Sequence, residues 1–163
     1  MRNPLTTLCL TIAALLGSAG ISWSADYQKG LDAANSGDFA TALREWKPLA
    51  EQGNADAQTH LGAMYLYGVS VPQDYETAVK WFKRAAEQGN NGAQNNLGAM
   101  YGKGLGVKKD YVHAHMWWNI AASSGYKLAS KYRDNIAKKM TPSQVEKAQE
   151  LARECVRKKY KGC

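Results

Sequence analysis

Residues 38–73 align without gaps on residues 74–109 with 18 identities in 36 positions, where average composition gives about two by chance. The matched columns include Asp38/Asp74, Ala42/Ala78, Gly53/Gly89, Ala57/Ala93, Leu61/Leu97, Gly62/Gly98, Tyr65/Tyr101 and Gly68/Gly104. The period continues into Asp110, Ala114, Ala122, Gly125 and Ala129, then fades. A chain that copies itself at such a spacing stacks units that cannot bury their apolar faces alone, so neighbours must share one core. Alternating apolar and polar residues, the mark of a half-buried strand, are absent, which predicts an all-α fold.

Each unit reads as two antiparallel helices. In the second, Asp74 is placed to cap a helix whose Tyr75, Ala78, Val79, Phe82, Ala85 and Ala86 recur at helical spacing. Gly89 suits the left-handed residue that ends such a helix. A second helix carries Ala93, Leu97, Met100 and Tyr101 on one face. Its alanines and glycines, Ala57/Ala93 and Gly62/Gly98, keep the surface thin enough for close helix approach. Gly104-Leu105-Gly106-Val107 then turns the chain, with Val107 expected to plug the seam between units; Ser70 replaces Gly106 in the first copy.

Those residues resemble the Sel-one-like repeat, a relative of the tetratricopeptide repeat. The pattern Ala78, Trp81-Phe82, Arg84-Ala85-Ala86, Gly89, Ala93, Leu97-Gly98, Tyr101, Gly104 and Gly106-Val107 is nearly complete in the second unit. The first unit has Glu45-Trp46 for the aromatic pair, and the third keeps its first helix, with His113-Ala114, Trp117-Trp118 and Gly125. The resemblance covers roughly residues 38–130. It implies a right-handed α-solenoid of about eight helices that binds other proteins, with exported members serving as adaptors in the bacterial envelope. Distant hydrolytic relatives carry a cysteine pair in each repeat, and this sequence has none there.

The organisation expected is a leader over residues 1–24, a capping helix over 25–37, repeats over 38–140 (38–73, 74–109 and a divergent 110–140), and a basic capping helix over 141–163. Arg2 precedes an apolar stretch, Leu5 to Leu16, and small residues follow. That is the layout of a secretory signal peptide, cut after Ser24, so the periplasm is the expected compartment. Losing Cys9 leaves Cys155 and Cys163, which can pair in an oxidising compartment if the last helix ends near Lys158 and the tail returns through Gly162. Leu128, Tyr132, Ile136 and Met140 recur every four residues as one amphipathic stripe. Thr141-Pro142-Ser143-Gln144 opens the final helix as a capping box, with Val145, Ala148, Leu151, Ala152 and Cys155 inward.

Charge narrows the function. Residues 25–125 hold 9 Lys/Arg against 10 Asp/Glu, while residues 126–163 hold 11 against 4. A near-neutral body with a basic tail argues against nucleic acid. His113 and His115, two apart on a helix, point about 200° away from each other and share no metal. His60 and Met64 are one turn apart, but Met64 repeats as Met100, a packing column. The glycines of Gly102–Gly106 follow a helix rather than a strand, so they are turn glycines and not a dinucleotide loop. The expectation is therefore a protein without catalytic constellation, cofactor or metal.

The tryptophans Trp46, Trp81, Trp117 and Trp118 fall in columns that pack helix on helix, Trp117 being the one most open to doubt as core. The first helices of such units build the inner wall of a solenoid. Its positions read Arg44/Lys80/Met116 and Lys47/Lys83/Asn119. Arg44, Lys47, Lys80, Lys83 and Asn119 are accordingly the candidate partner-binding residues, for an acidic peptide or protein surface. Envelope glycan such as peptidoglycan is the alternative, read through Trp117 and Tyr111. The basic tail, with Arg153, Arg157, Lys158, Lys159 and Lys161, could contact anionic lipid.

Overall fold

A computed structural model describes residue 24 and residues 26–163; the expected leader otherwise lies outside the described residues. Among the described residues eight helices follow one another: α1 (26–35), α2 (Phe39–Glu51), α3 (Ala55–Tyr67), α4 (Tyr75–Ala86), α5 (Asn91–Lys103), α6 (Tyr111–Ser123), α7 (Lys127–Ala137) and α8 (Pro142–Arg157). No strand occurs among the described residues, and no helix there is long and apolar enough to cross a membrane. The architecture is a right-handed α-solenoid of antiparallel pairs, α2/α3, α4/α5 and α6/α7.

Local chemistry sets the boundaries. Asp38, Asp74 and Asp110 accept N–H bonds in the first turns of α2, α4 and α6, as Asn54 and Asn90 do for α3 and α5. The Thr141–Gln144 capping box is reciprocal, with Pro142 in the first turn. Gly68 and Gly104 end α3 and α5 in left-handed geometry, at φ 68° and 74°. Gly106 has φ 67°, and a side chain there would run into the Tyr75 backbone. Ser70, at the matching place in the first unit, holds φ 57° without being glycine.

The second helix of each pair leans on the first helix of the next, and a glycine makes room for an aromatic ring at each seam. Gly30 faces Trp46, Gly62 faces Phe82, and Gly98 faces Trp118. Two buried glutamines join the pairs internally: Gln58 Nε2 donates to the Ala50 carbonyl at 3.0 Å and Gln94 Nε2 to the Ala86 carbonyl at 3.3 Å. Each adds a second bond to a carbonyl at the end of the preceding helix that already accepts a turn N–H, from Gly53 at 3.1 Å and from Gly89 at 2.9 Å.

One expectation fails in part at the C-terminal end. Of the Leu128, Tyr132, Ile136 and Met140 stripe, Ile136 is buried and Met140 packs partly buried against the same core, but Leu128 is 54% exposed and Tyr132 42%. The reason is that α8 does not stack on α7 as the next unit would. It turns back and packs on α6, where Ala152 and Cys155 join Met116, Trp117 and Ile120 in one core. The outer face of α7 is therefore left to solvent.

Candidate partner-binding wall

The first helices α2, α4 and α6 carry the candidate residues, and the three units treat them differently. Arg44 and Lys47 on α2, and Lys80 and Lys83 on α4, are all exposed. Arg44 reaches Glu45 at 3.3 Å, and Lys29 holds the same carboxylate at 2.8 Å. Lys29, with Arg44 adding to it, keeps the Glu45 carboxyl below the usual range. Among the described residues Lys47, Lys80 and Lys83 make no ion pair. An unpaired ammonium on a helix face is free to meet a carboxylate from outside.

On α6 the same two positions are Met116 and Asn119, and neither belongs to an open wall. Met116 is 2% exposed, covered by α8. Asn119 is half-buried; its Oδ1 accepts from Arg133 Nη1 at 3.2 Å. It lines a groove of about 560 Å³ between α6 and α8, with Ile120, Arg153, Val156 and Arg157. Comparison of columns carried the signal: Lys80 becomes Met116 and Arg84 becomes Ile120. Polar positions turn apolar where another helix covers them.

Trp81 and Arg84 extend the α4 part of the wall, and the wall positions chosen from sequence left them out. The Arg84 guanidinium lies 4.7 Å over the Trp81 ring, an attractive placement of cation on aromatic face. Trp81 is half-buried against the first-unit core, whereas Trp46, Trp117 and Trp118 are buried outright. Trp117 is 1% exposed, so among the described residues the tryptophan with an accessible surface is Trp81 instead. Tyr111 is half-buried with the Lys109 ammonium 4.8 Å over its ring.

The lower edge of the wall is a C-terminal hook. Residues 158–163 leave α8 through left-handed Lys159 and Tyr160, φ 51° and 66°, and through Gly162. The sulfurs of Cys155 and Cys163 stand at disulfide distance. The hook reaches α4, where Tyr160 packs on Gly89 and Glu87 receives Gly162 N–H at 3.5 Å and Lys161 at 3.9 Å. Lys83, Glu87, Trp117, Gly162 and Cys163 enclose a cavity of about 260 Å³ there.

Two of the three histidines have structural partners. His60 stacks on Trp46 at 4.2 Å and shares a 3.0 Å hydrogen bond with the Tyr27 hydroxyl. Burial pushes its imidazole below the ordinary range, with Asp56 pulling partly back. His113 bonds Asp110 at 2.7 Å, and His115 is buried. Among the described residues no group of three or more metal-ligating side chains converges.

Comparison with known proteins agrees with this architecture. The Sel1 repeat matches residues 55–90 and 92–126, each match pairing the second helix of one unit with the first helix of the next. No curated protein matches the chain. Among solved structures, c5321, described as a protective antigen of uropathogenic Escherichia coli strains with an SLR fold, superposes with a TM-score of 0.80 at 32% identity. That match covers 85% of this chain and 30% of the other, so this chain spans under a third of that relative's length. A Sel1 repeat protein from Oxalobacter formigenes superposes with a TM-score of 0.64 at 34% identity, over 77% of this chain and 98% of the other. Sel1 repeat proteins are generally non-catalytic scaffolds for protein interaction. By its repeated units, its glycine–aromatic seams and these matches, the chain belongs to the Sel1 repeat family.

Proposed function

We propose that this protein is a non-enzymatic scaffold of the bacterial periplasm, exported by a cleaved leader, that holds an acidic protein segment on the wall formed by α2 and α4. The observation that carries the reading is the exposure of Lys47, Lys80 and Lys83 without ion-pair partners among the described residues. Trp81 beneath Arg84 supplies an aromatic surface of the kind that anchors interfaces. An oxidising compartment suits the proposed Cys155–Cys163 disulfide. The glycan reading needs exposed Trp117 and Tyr111; the indole of Trp117 is covered, which removes half of that platform. The basic tail is partly paired within the chain, since Lys161 turns to Glu87 and Lys158 to Glu154.

The test is photo-crosslinking in the native envelope with the probe at position 80. A discrete protein adduct supports the scaffold and identifies its partner. Recovery as a glycan adduct, or only with the cell-wall sacculus, overturns it in favour of sugar binding.

A further inference from the structure

We infer that α8 and its hook form a redox-released cover over the third unit's share of the wall: opening the Cys155–Cys163 disulfide undocks α8 and uncovers Met116, Trp117 and Ile120. The inference rests on packing and connectivity, and it stands whether or not the acidic-partner reading holds.

Three features point the same way. The covered face is apolar only in this unit: Met116 and Ile120 stand where the second unit has Lys80 and Arg84. That surface is made for an occupant, and α8 is the occupant. The α8 helix holds to it by packing alone. Ala148, Ala152 and Cys155 are the fully buried side chains of α8, small groups that bury little area each, and Leu151 packs partly buried against the same core. No hydrogen bond or ion pair joins the α8 side chains to the other described helices; its ion pair, Lys158–Glu154, is internal. The remaining hold is the hook, through Tyr160 on Gly89 and the paired contacts of Glu87.

The disulfide links residues 155 and 163, eight apart, and so ties the hook to α8 and not to the solenoid. Its effect is to keep a short tail in a costly shape. Lys159 and Tyr160 are consecutive left-handed non-glycine residues, each unfavourable for an L-residue, and they persist only while their surroundings hold them. Once the bond opens, the tail relaxes to ordinary backbone, Tyr160 leaves Gly89, and Glu87 loses both partners. What then remains on α6 is the small-residue stripe of α8 with Leu151 and the Cys155 thiol.

Access defines the chemistry. Cys155 is buried and Cys163 half-buried, so the Cys163 sulfur is the one a thiolate reaches. A dithiol reductant supplies the two electrons. Its thiolate attacks Cys163, and Cys155 leaves as thiolate and takes a proton. The reductant's second thiol then closes on the first, releasing Cys163 as a thiol and leaving the reductant as a disulfide.

Hydrogen–deuterium exchange of the exported chain, with and without dithiothreitol at neutral pH, tests this directly. Reduction is expected to speed exchange at least tenfold in residues 142–157 and in the α6 segment 111–123, with α2 to α5 unchanged. A Tyr160→Ala variant, its disulfide intact, is expected to show part of the same loss, since it removes the hook's grip without chemistry. Unchanged exchange of α8 after complete reduction, verified by alkylation of two thiols, overturns the proposal. Uniform loss through α2–α5 overturns it too, because the disulfide would then support the whole solenoid.

Discussion

Gly98 lies against the indole of Trp118 so closely that a Cβ at that position would come within 2.7 Å of the ring. Gly62 stands to Phe82 in the same way, at 2.8 Å. The pairing explains why the two residues recur together: the glycine is the socket and the aromatic ring is the plug. Thinness on one helix and bulk on the next fix how far apart successive units sit.

Substituting either socket should therefore open a seam. Gly62→Ala and Gly98→Ala are each expected to lower unfolding free energy by about 2 kcal/mol, the cost of overpacking a filled core less the helix propensity gained. Equilibrium urea denaturation measures it. A loss under about 0.5 kcal/mol would mean the ring simply moves aside.

The loop between units offers the opposite sign. Ser70 holds φ 57° where the next unit has Gly106. Ser70→Gly should stabilise by about 1 kcal/mol, because glycine adopts that conformation without a Cβ clash. Gly106→Ala should destabilise, since the added carbon meets the Tyr75 backbone. Thermal melts of the two variants should move in opposite directions.

Acid should weaken the fold through its buried imidazoles. Burial holds His60 below its ordinary 6.5, and His115 likewise, with Arg133 adding to the effect. In the unfolded chain both bind protons near 6.5, while the folded chain resists until lower pH. The stability is thus fully present above 6.5 and is lost as pH falls through that value towards the folded pKa. His60→Asn, which copies Asn96 of the next unit, should make the urea midpoint less dependent on pH between 7.5 and 5. An unchanged slope would show that His60 titrates normally in the fold.

Charge reversal separates wall from core. Lys80→Glu with Lys83→Glu is expected to abolish capture of the crosslinked partner while shifting the melting temperature by no more than about 2 °C, both side chains being exposed. Capture that survives would move the interface elsewhere on the solenoid.

Much of this molecule is written in short-range pattern. The column of Asp38, Asp74 and Asp110, the Thr141 capping box and the fixed glycines set helix ends from neighbouring residues alone. Capping and turn conformation are local, so a single sequence determines them, and the repeat adds the stacking of one unit on the next. The exposure of the proposed wall was legible in part. Arg44, Lys47, Lys80 and Lys83 are exposed as the columns imply, yet Met116 is buried and Asn119 turns to Arg133. Only the tertiary structure decided where α8 goes. Its alanine stripe fits the end of α7 or the side of α6 equally well by periodicity. Met116, Trp117 and Ile120 offer the apolar surface that settles the choice, and such a match between distant segments becomes visible when the chain has folded.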